Sequence, residues 1–196
     1  LVWSFGGAIS RFLPGLDSWT QIFWRSFWAC AFLLAFLFLR DGRRGFDAFR
    51  QMGWPGLIVA VCFAIASISF VTALQYTTVA NVVLIGASVP LVAALISWLV
   101  LGEKIAPATW LAIAAVIAGV VIMVSDSLGK GGSMKGNLLA GLIALVFAVA
   151  TVTTRRYSGV RMTPAVAAAT AMAALAAFTQ AGGLSVSAGQ MGWLFA

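Results

Sequence analysis

Arg25 stands in "FWRSFWACAFLLAFLFLR", and between Ser18 and Leu39 it is the only charged residue. A guanidinium is always protonated and presents a planar fork of donors, so at membrane depth it can hold a carboxylate or another anionic group bidentately. On a helix, Gln21, Arg25, Trp28 and Phe32 recur at spacings of four and three, which puts them on one face pointing into a bundle. A second reading stands beside this one: the long side chain snorkels past Gln21 to the headgroups. Some compensating environment is needed, because a cation at a helix centre costs about 2.5–3.5 kcal/mol on insertion scales.

A second group centres on Pro90 in "LIGASVPLVAAL". Proline has no N–H, so the carbonyl of Gly86, four residues earlier, loses its partner and the helix should bend or open there. Freed backbone groups at membrane depth are tolerated where they meet protein or water, and transporters build binding sites from them. Asn81 and Ser88 share the segment. The plainer alternative is a kink that serves packing. The hydroxyls of Ser67, Ser69, Thr72, Thr151, Thr153 and Thr154 are read mainly as bonds back to their own helices or as glue between helices. The pairs Ala93/Ser97 and Ala115/Gly119 have the spacing of close helix contacts.

Catalysis finds little here. The chain has no histidine and five acids, Asp17, Asp41, Asp47, Glu103 and Asp126, all at span ends or in loops. Intramembrane proteolysis needs paired aspartates, Ser with His, or a zinc motif. None is present, so no catalytic residue, no metal and no cofactor is expected. Cys30 and Cys62 lie in different apolar spans without CxxC spacing and read as small packing residues.

These groups must be positioned by membrane helices. The chain is 62% hydrophobic and 9% charged, where soluble domains are about 45–50% apolar and about 25% charged. Uncharged runs include Gln51 to Gly102, Ile105 to Ser125, Gly136 to Thr154 and Met162 to Ala196, each long enough to cross about 30 Å of hydrocarbon. Starting a helix after Arg25 leaves 14 residues to Leu39, about 21 Å, which is too short. The arginine must therefore lie inside its span, roughly 10 Å from the Ser18 end.

We place spans at Leu1–Leu13, Ser18–Leu39, Met52–Gln75, Thr78–Leu101, Ala106–Ser125, Gly136–Thr154 and Thr163–Ala181, with an eighth opening near Gln190. The short first and last spans lead us to expect a piece of a longer protein. Loops after the second, fourth and sixth spans hold eight Lys and Arg, the other loops three. That asymmetry puts the first set, and the N-terminus, in the cytoplasm of a cell whose inner membrane the chain spans. Trp19 and Trp24 fall near the outer headgroups, and Trp54, Trp98 and Trp110 near the inner ones. With the cations between apolar runs, a net charge of +7 reads as topogenic and not as a nucleic-acid surface. Sliding the chain by 144 residues pairs Leu1–Gly15 with Leu145–Gly159; the five intervening spans would turn the second copy upside down, as in inverted-repeat transporters.

The run "ALQYTTVANVVLIGASVPLVAALISWLVLGEKIAPATWLAIAAVIAGVVIM", Ala73 to Met123, resembles the EamA family of the drug/metabolite transporter superfamily. There, an aromatic-Thr/Ser-x-Ala-Asn turn leads into a Pro-bearing helix, an "LGE" end and an "AGV" helix. "FWRSFWACAFLLAFLFLR" is similar to that family's second helix, arginine included. The resemblance implies an all-α polytopic membrane fold of ten helices in two inverted five-helix repeats, of which this chain covers late helix 1 to early helix 8. A first repeat would span 1–126, a periplasmic linker 127–135 and the start of the second repeat 136–196. It also implies that Thr72, Tyr76, Asn81, Ser88 and Pro90 lie near the central cavity and that the Ala106–Ser125 helix is peripheral. Adding the arginine face, the candidate cavity residues are Gln21, Arg25, Trp28, Thr72, Tyr76, Asn81 and Ser88, with Gly86 and Pro90 at the helix break. The expected function is a secondary transporter exporting small metabolites such as amino acids, against the alternative of a non-transporting membrane scaffold. A small-molecule substrate and the lipid bilayer are the expected partners; a homodimer is left open.

Overall fold

The structure, a computed structural model, describes residues 17–42, 45–129 and 133–181. Among these the secondary structure is helical throughout, which hydrocarbon demands: without water, every backbone N–H and C=O must be satisfied within its own segment. The helices are α1 (Ser18–Asp41), α2 (Gly45–Gln51), α3 (Gly53–Ala73), α4 (Val79–Gly86), α5 (Val89–Leu101), α6 (Pro107–Gly129), α7 (Met134–Arg156) and α8 (Thr163–Gln180). Among the described residues five stretches are long and apolar enough to cross a membrane, taking Val79–Leu101 across its break as one.

Local chemistry sets the ends. The Thr78 hydroxyl accepts from the Asn81 N–H at 3.3 Å, and Ser133 accepts from the Lys135 N–H at 3.2 Å, capping α4 and α7. Leu101 is followed by Gly102 at φ +67°, a left-handed stop that suits glycine.

The packing is antiparallel and small-residue. Gln75 reaches the Ser18 hydroxyl, and Arg25 reaches Ser67, so α1 and α3 run in opposite directions in a constant register. α1 lies along α8 through Phe23 and Phe178 (centroids 5.9 Å apart), the Cys30 thiol donating to the Ala167 carbonyl (3.8 Å), and the Asp41–Arg161 ion pair (2.8 Å). α3 lies along α7 through an edge-to-face Phe63–Phe147 pair at 5.2 Å. Small residues recur every four positions: Gly56, Ala60 and Ala64 on α3, and Ala140, Ala144 and Ala148 on α7, all buried. Lipid offers apolar side chains no hydrophobic gain over one another, so close backbone approach and van der Waals contact drive such association.

Several expectations change. The Thr78–Leu101 span is two helices that meet at Ala87 and Ser88, just before Pro90. A short helix, α2, lies in the loop between the second and third spans. Phe32 is 71% exposed, so it leaves the face it was expected to share with Arg25. The small pair Ala115/Gly119 is exposed and makes no tight contact among the described residues, because α6 packs only lightly on its neighbours. Around the linker expected over 127–135, α6 runs to Gly129 and α7 starts at Met134. The first and eighth spans lie outside the described residues.

Candidate functional site: polar groups inside the bundle

The guanidinium of Arg25 turns sideways. Its Nη2 donates to the Ser67 hydroxyl of α3 at 2.9 Å, which separates the two sequence readings: the side chain crosses to a neighbouring helix instead of running up past Gln21. Ser67 lies six residues before the end of α3, about 9 Å along the axis, matching the depth of Arg25. Guanidinium has five N–H donors, so one serine leaves capacity for an anionic group. Gln21 and Trp28 flank Arg25 on α1, both partly buried.

The α4–α5 break forms a second group. Ser88 donates its hydroxyl to the Ile85 carbonyl at 2.6 Å, and its backbone N–H bonds the same carbonyl at 3.0 Å. The helix restarts when the Leu91 and Val92 N–H groups bond the Ser88 carbonyl. Pro90 thus falls in the first turn of α5, where its missing N–H is least costly. Among the described residues, a Cβ added to Gly86 would meet nothing within 4 Å; Gly86 is the residue whose carbonyl Pro90 cannot bond.

The third group lies at the α3–α4 turn. Asn81 donates its side-chain amide to the Thr77 hydroxyl at 3.0 Å, and Tyr76 is half exposed. Thr72 spends its hydroxyl on its own helix, donating to the Ile68 carbonyl at 2.8 Å. Ser67 and Arg25 therefore come together, whereas Thr72 and Ser88 bond locally and Tyr76 and Asn81 belong to a separate turn. The described residues hold these candidates as three groups and not as one pocket.

Two features escaped the sequence reading. Asn137 on α7 is only 6% exposed, and neither atom of its amide finds a hydrogen-bond partner among the described residues. Next to it, Gly136 sits so close to the α3–α4 turn that a Cβ there would lie 2.7 Å from the Thr77 Cβ and 3.0 Å from the Tyr76 carbonyl carbon. The available signal was a lone amide near the start of an otherwise apolar run. The second feature is a cavity of about 480 Å³ where α5, α6 and α7 meet at the end of the bundle that carries the ion pairs. It takes Pro90 from the candidates and is otherwise built from residues read as loop charge or packing, including Glu103, Lys104 and Arg155. Glu103 and Arg155 pair across its mouth at 3.1 Å.

Among the described residues no three His, Cys, Asp or Glu side chains come together in a way that could hold a metal ion. Searches of curated proteins and of solved structures return no match. The EamA-like transporter family model, by contrast, matches residues 1–125. That match covers more than half of the chain, and the chain belongs to the EamA-like transporter family.

Proposed function

We propose that the protein is a secondary transporter of the cytoplasmic membrane that exports small metabolites such as amino acids by alternating access, with its N-terminus in the cytoplasm. The reading takes 1–126 and 136–196 as parts of two inverted repeats and places Gln21, Arg25, Trp28, Thr72, Tyr76, Asn81 and Ser88 along the solute path, with Gly86 and Pro90 as its hinge. One observation carries it: a permanently charged side chain inside the bundle is bonded, among the described residues, to a neutral hydroxyl. A cation at this depth is costly and usually marks a substrate path. An anionic group of the solute would supply the missing counter-charge, and the opened backbone near Gly86 would supply an acceptor for a donor group.

A scaffold without transport activity is the competing reading, favoured by the hydroxyls of Thr72, Ser88 and Thr151 that bond back to their own helices. Counterflow separates the two. The full-length protein is reconstituted in proteoliposomes and offered labelled amino acids, sugar phosphates and nucleobases, alongside Arg25→Ala at equal membrane abundance. We expect one class to exchange and Arg25→Ala to lower its rate by at least about tenfold, the equivalent of one lost charge-assisted contact. Equal exchange by wild type and variant would remove Arg25 from the path, and no exchange of any class would favour the scaffold.

A further inference from the structure

The cavity between α5, α6 and α7 has a polarity gradient along its depth. The charged lining residues, Glu103, Lys104 and Arg155, belong to the helix ends, which we take as its mouth, and Pro90, Ala93 and Ala94 line it further along α5, which we take as its floor. Along α5, Ala94 and Pro90 lie seven and eleven residues before Leu101, roughly 10 and 16 Å deeper than the helix end.

The level of the mouth is marked independently. Trp98 of α5 and Trp110 of α6 pack edge to face at 5.6 Å, and both are 44% exposed. Exposed tryptophans gather at headgroup depth, and these two belong to the helices that border the cavity. The charged mouth therefore lies at the membrane interface and the floor at acyl-chain depth. Next to them, Leu99 and Val100 continue the exposed apolar surface of α5. Two cations against one acid leave the mouth net positive, and the Glu103 contact at 3.1 Å holds the Arg155 guanidinium over it with further N–H donors to spare.

A free phosphate compound would use the mouth and leave the apolar floor unfilled. A lipid would use both. We propose that this cavity binds one anionic phospholipid, with its phosphate at Lys104 and Arg155 and the first part of an acyl chain on Pro90, Ala93 and Ala94. Basic pockets between membrane helices bind anionic headgroups in this way. The site lies at the opposite end of the bundle from Arg25, and its occupancy does not depend on transport.

The test uses full-length protein in neutral detergent, titrated with phosphatidylglycerol, phosphatidylcholine or glycerol 3-phosphate, and counts bound molecules by native mass spectrometry. We expect one phosphatidylglycerol to be retained in preference to phosphatidylcholine and not to be displaced by glycerol 3-phosphate. Lys104 is exposed, so Lys104→Glu should leave the fold intact while weakening phosphatidylglycerol roughly tenfold. Ala93→Phe fills the floor without altering charge and should also displace the lipid. Should Ala93→Phe not fold, the Lys104→Glu titration decides alone. Equal retention of both lipids, or unchanged affinity in Lys104→Glu, would overturn the proposal. Displacement by glycerol 3-phosphate would identify a soluble phosphate compound as the occupant and overturn the lipid reading.

Discussion

The α3–α7 interface and the α5–α6 corner are both apolar and both helical, yet they are built in opposite ways. Along α3 and α7, glycine and alanine recur every four residues, and at Gly136 one added carbon would collide with Tyr76 and Thr77 of the α3–α4 turn. At the corner, α6 buries Ile113 and leaves Leu111, Ile117, Val121 and Ile122 exposed, and a cavity opens between it and its neighbours. Hydropathy cannot separate the two regions, because lipid and protein interior are equally apolar. Side-chain volume can: small residues mark helix–helix contact, and bulky aliphatic residues mark the surface that meets lipid.

That contrast can be attacked from both sides. The largest effect is expected at Gly136→Val, since the neighbour includes backbone at the α3–α4 turn and cannot give way as a flexible side chain would. We expect a loss of about 2–3 kcal/mol, read as a lowered thermal midpoint and reduced membrane abundance. Stability unchanged by Gly136→Val would mean that the close approach is not a feature of the native packing.

Asn137 sharpens the same interface with the opposite sign. A buried amide without partners among the described residues costs about 1–3 kcal/mol, so Asn137→Leu, which keeps the branching and the heavy-atom count of the side chain, should raise the midpoint of unfolding in detergent. If that gain comes together with a lower counterflow rate, Asn137 serves the solute path; a gain with unaltered rate makes it a packing defect. Destabilisation by Asn137→Leu would show that the amide does have a partner. The smallest effect belongs to the corner. Ala115→Leu enlarges a residue of α6 that is already exposed, and the midpoint should stay within about 0.5 kcal/mol of wild type.

Much of the fold was legible in the sequence for one reason: hydrocarbon admits few ways of satisfying a backbone. Uncharged runs of sufficient length had to become helices, and Pro90 had to disturb its own. The break falls at Ala87 and Ser88, between Gly86 and Pro90, because proline cannot bond the carbonyl four residues before it and the ladder must be reset upstream. The face of Arg25 was harder. Helical spacing grouped Gln21, Arg25, Trp28 and Phe32, but four residues per face is an idealisation and Phe32 ended outside. Equally, Ala93/Ser97 and Ala115/Gly119 look alike as spacings; the first pair is buried and the second exposed, since spacing identifies a narrow face without saying what lies against it.

By itself, the sequence determined that this chain is a multi-pass helical membrane protein, where its helices run, and that its pattern from Ala73 to Met123 belongs with EamA-like transporters, because length, hydropathy and local breakers act within a single segment. Only the tertiary structure decided that Arg25 meets Ser67, that Asp41 pairs with Arg161 and Glu103 with Arg155, that Asn137 is buried, and that a charged cavity opens beside α6. Each of these joins residues distant in the chain, and which helix faces meet is settled by the mutual fit of side-chain volumes across the whole bundle, a property no single segment contains.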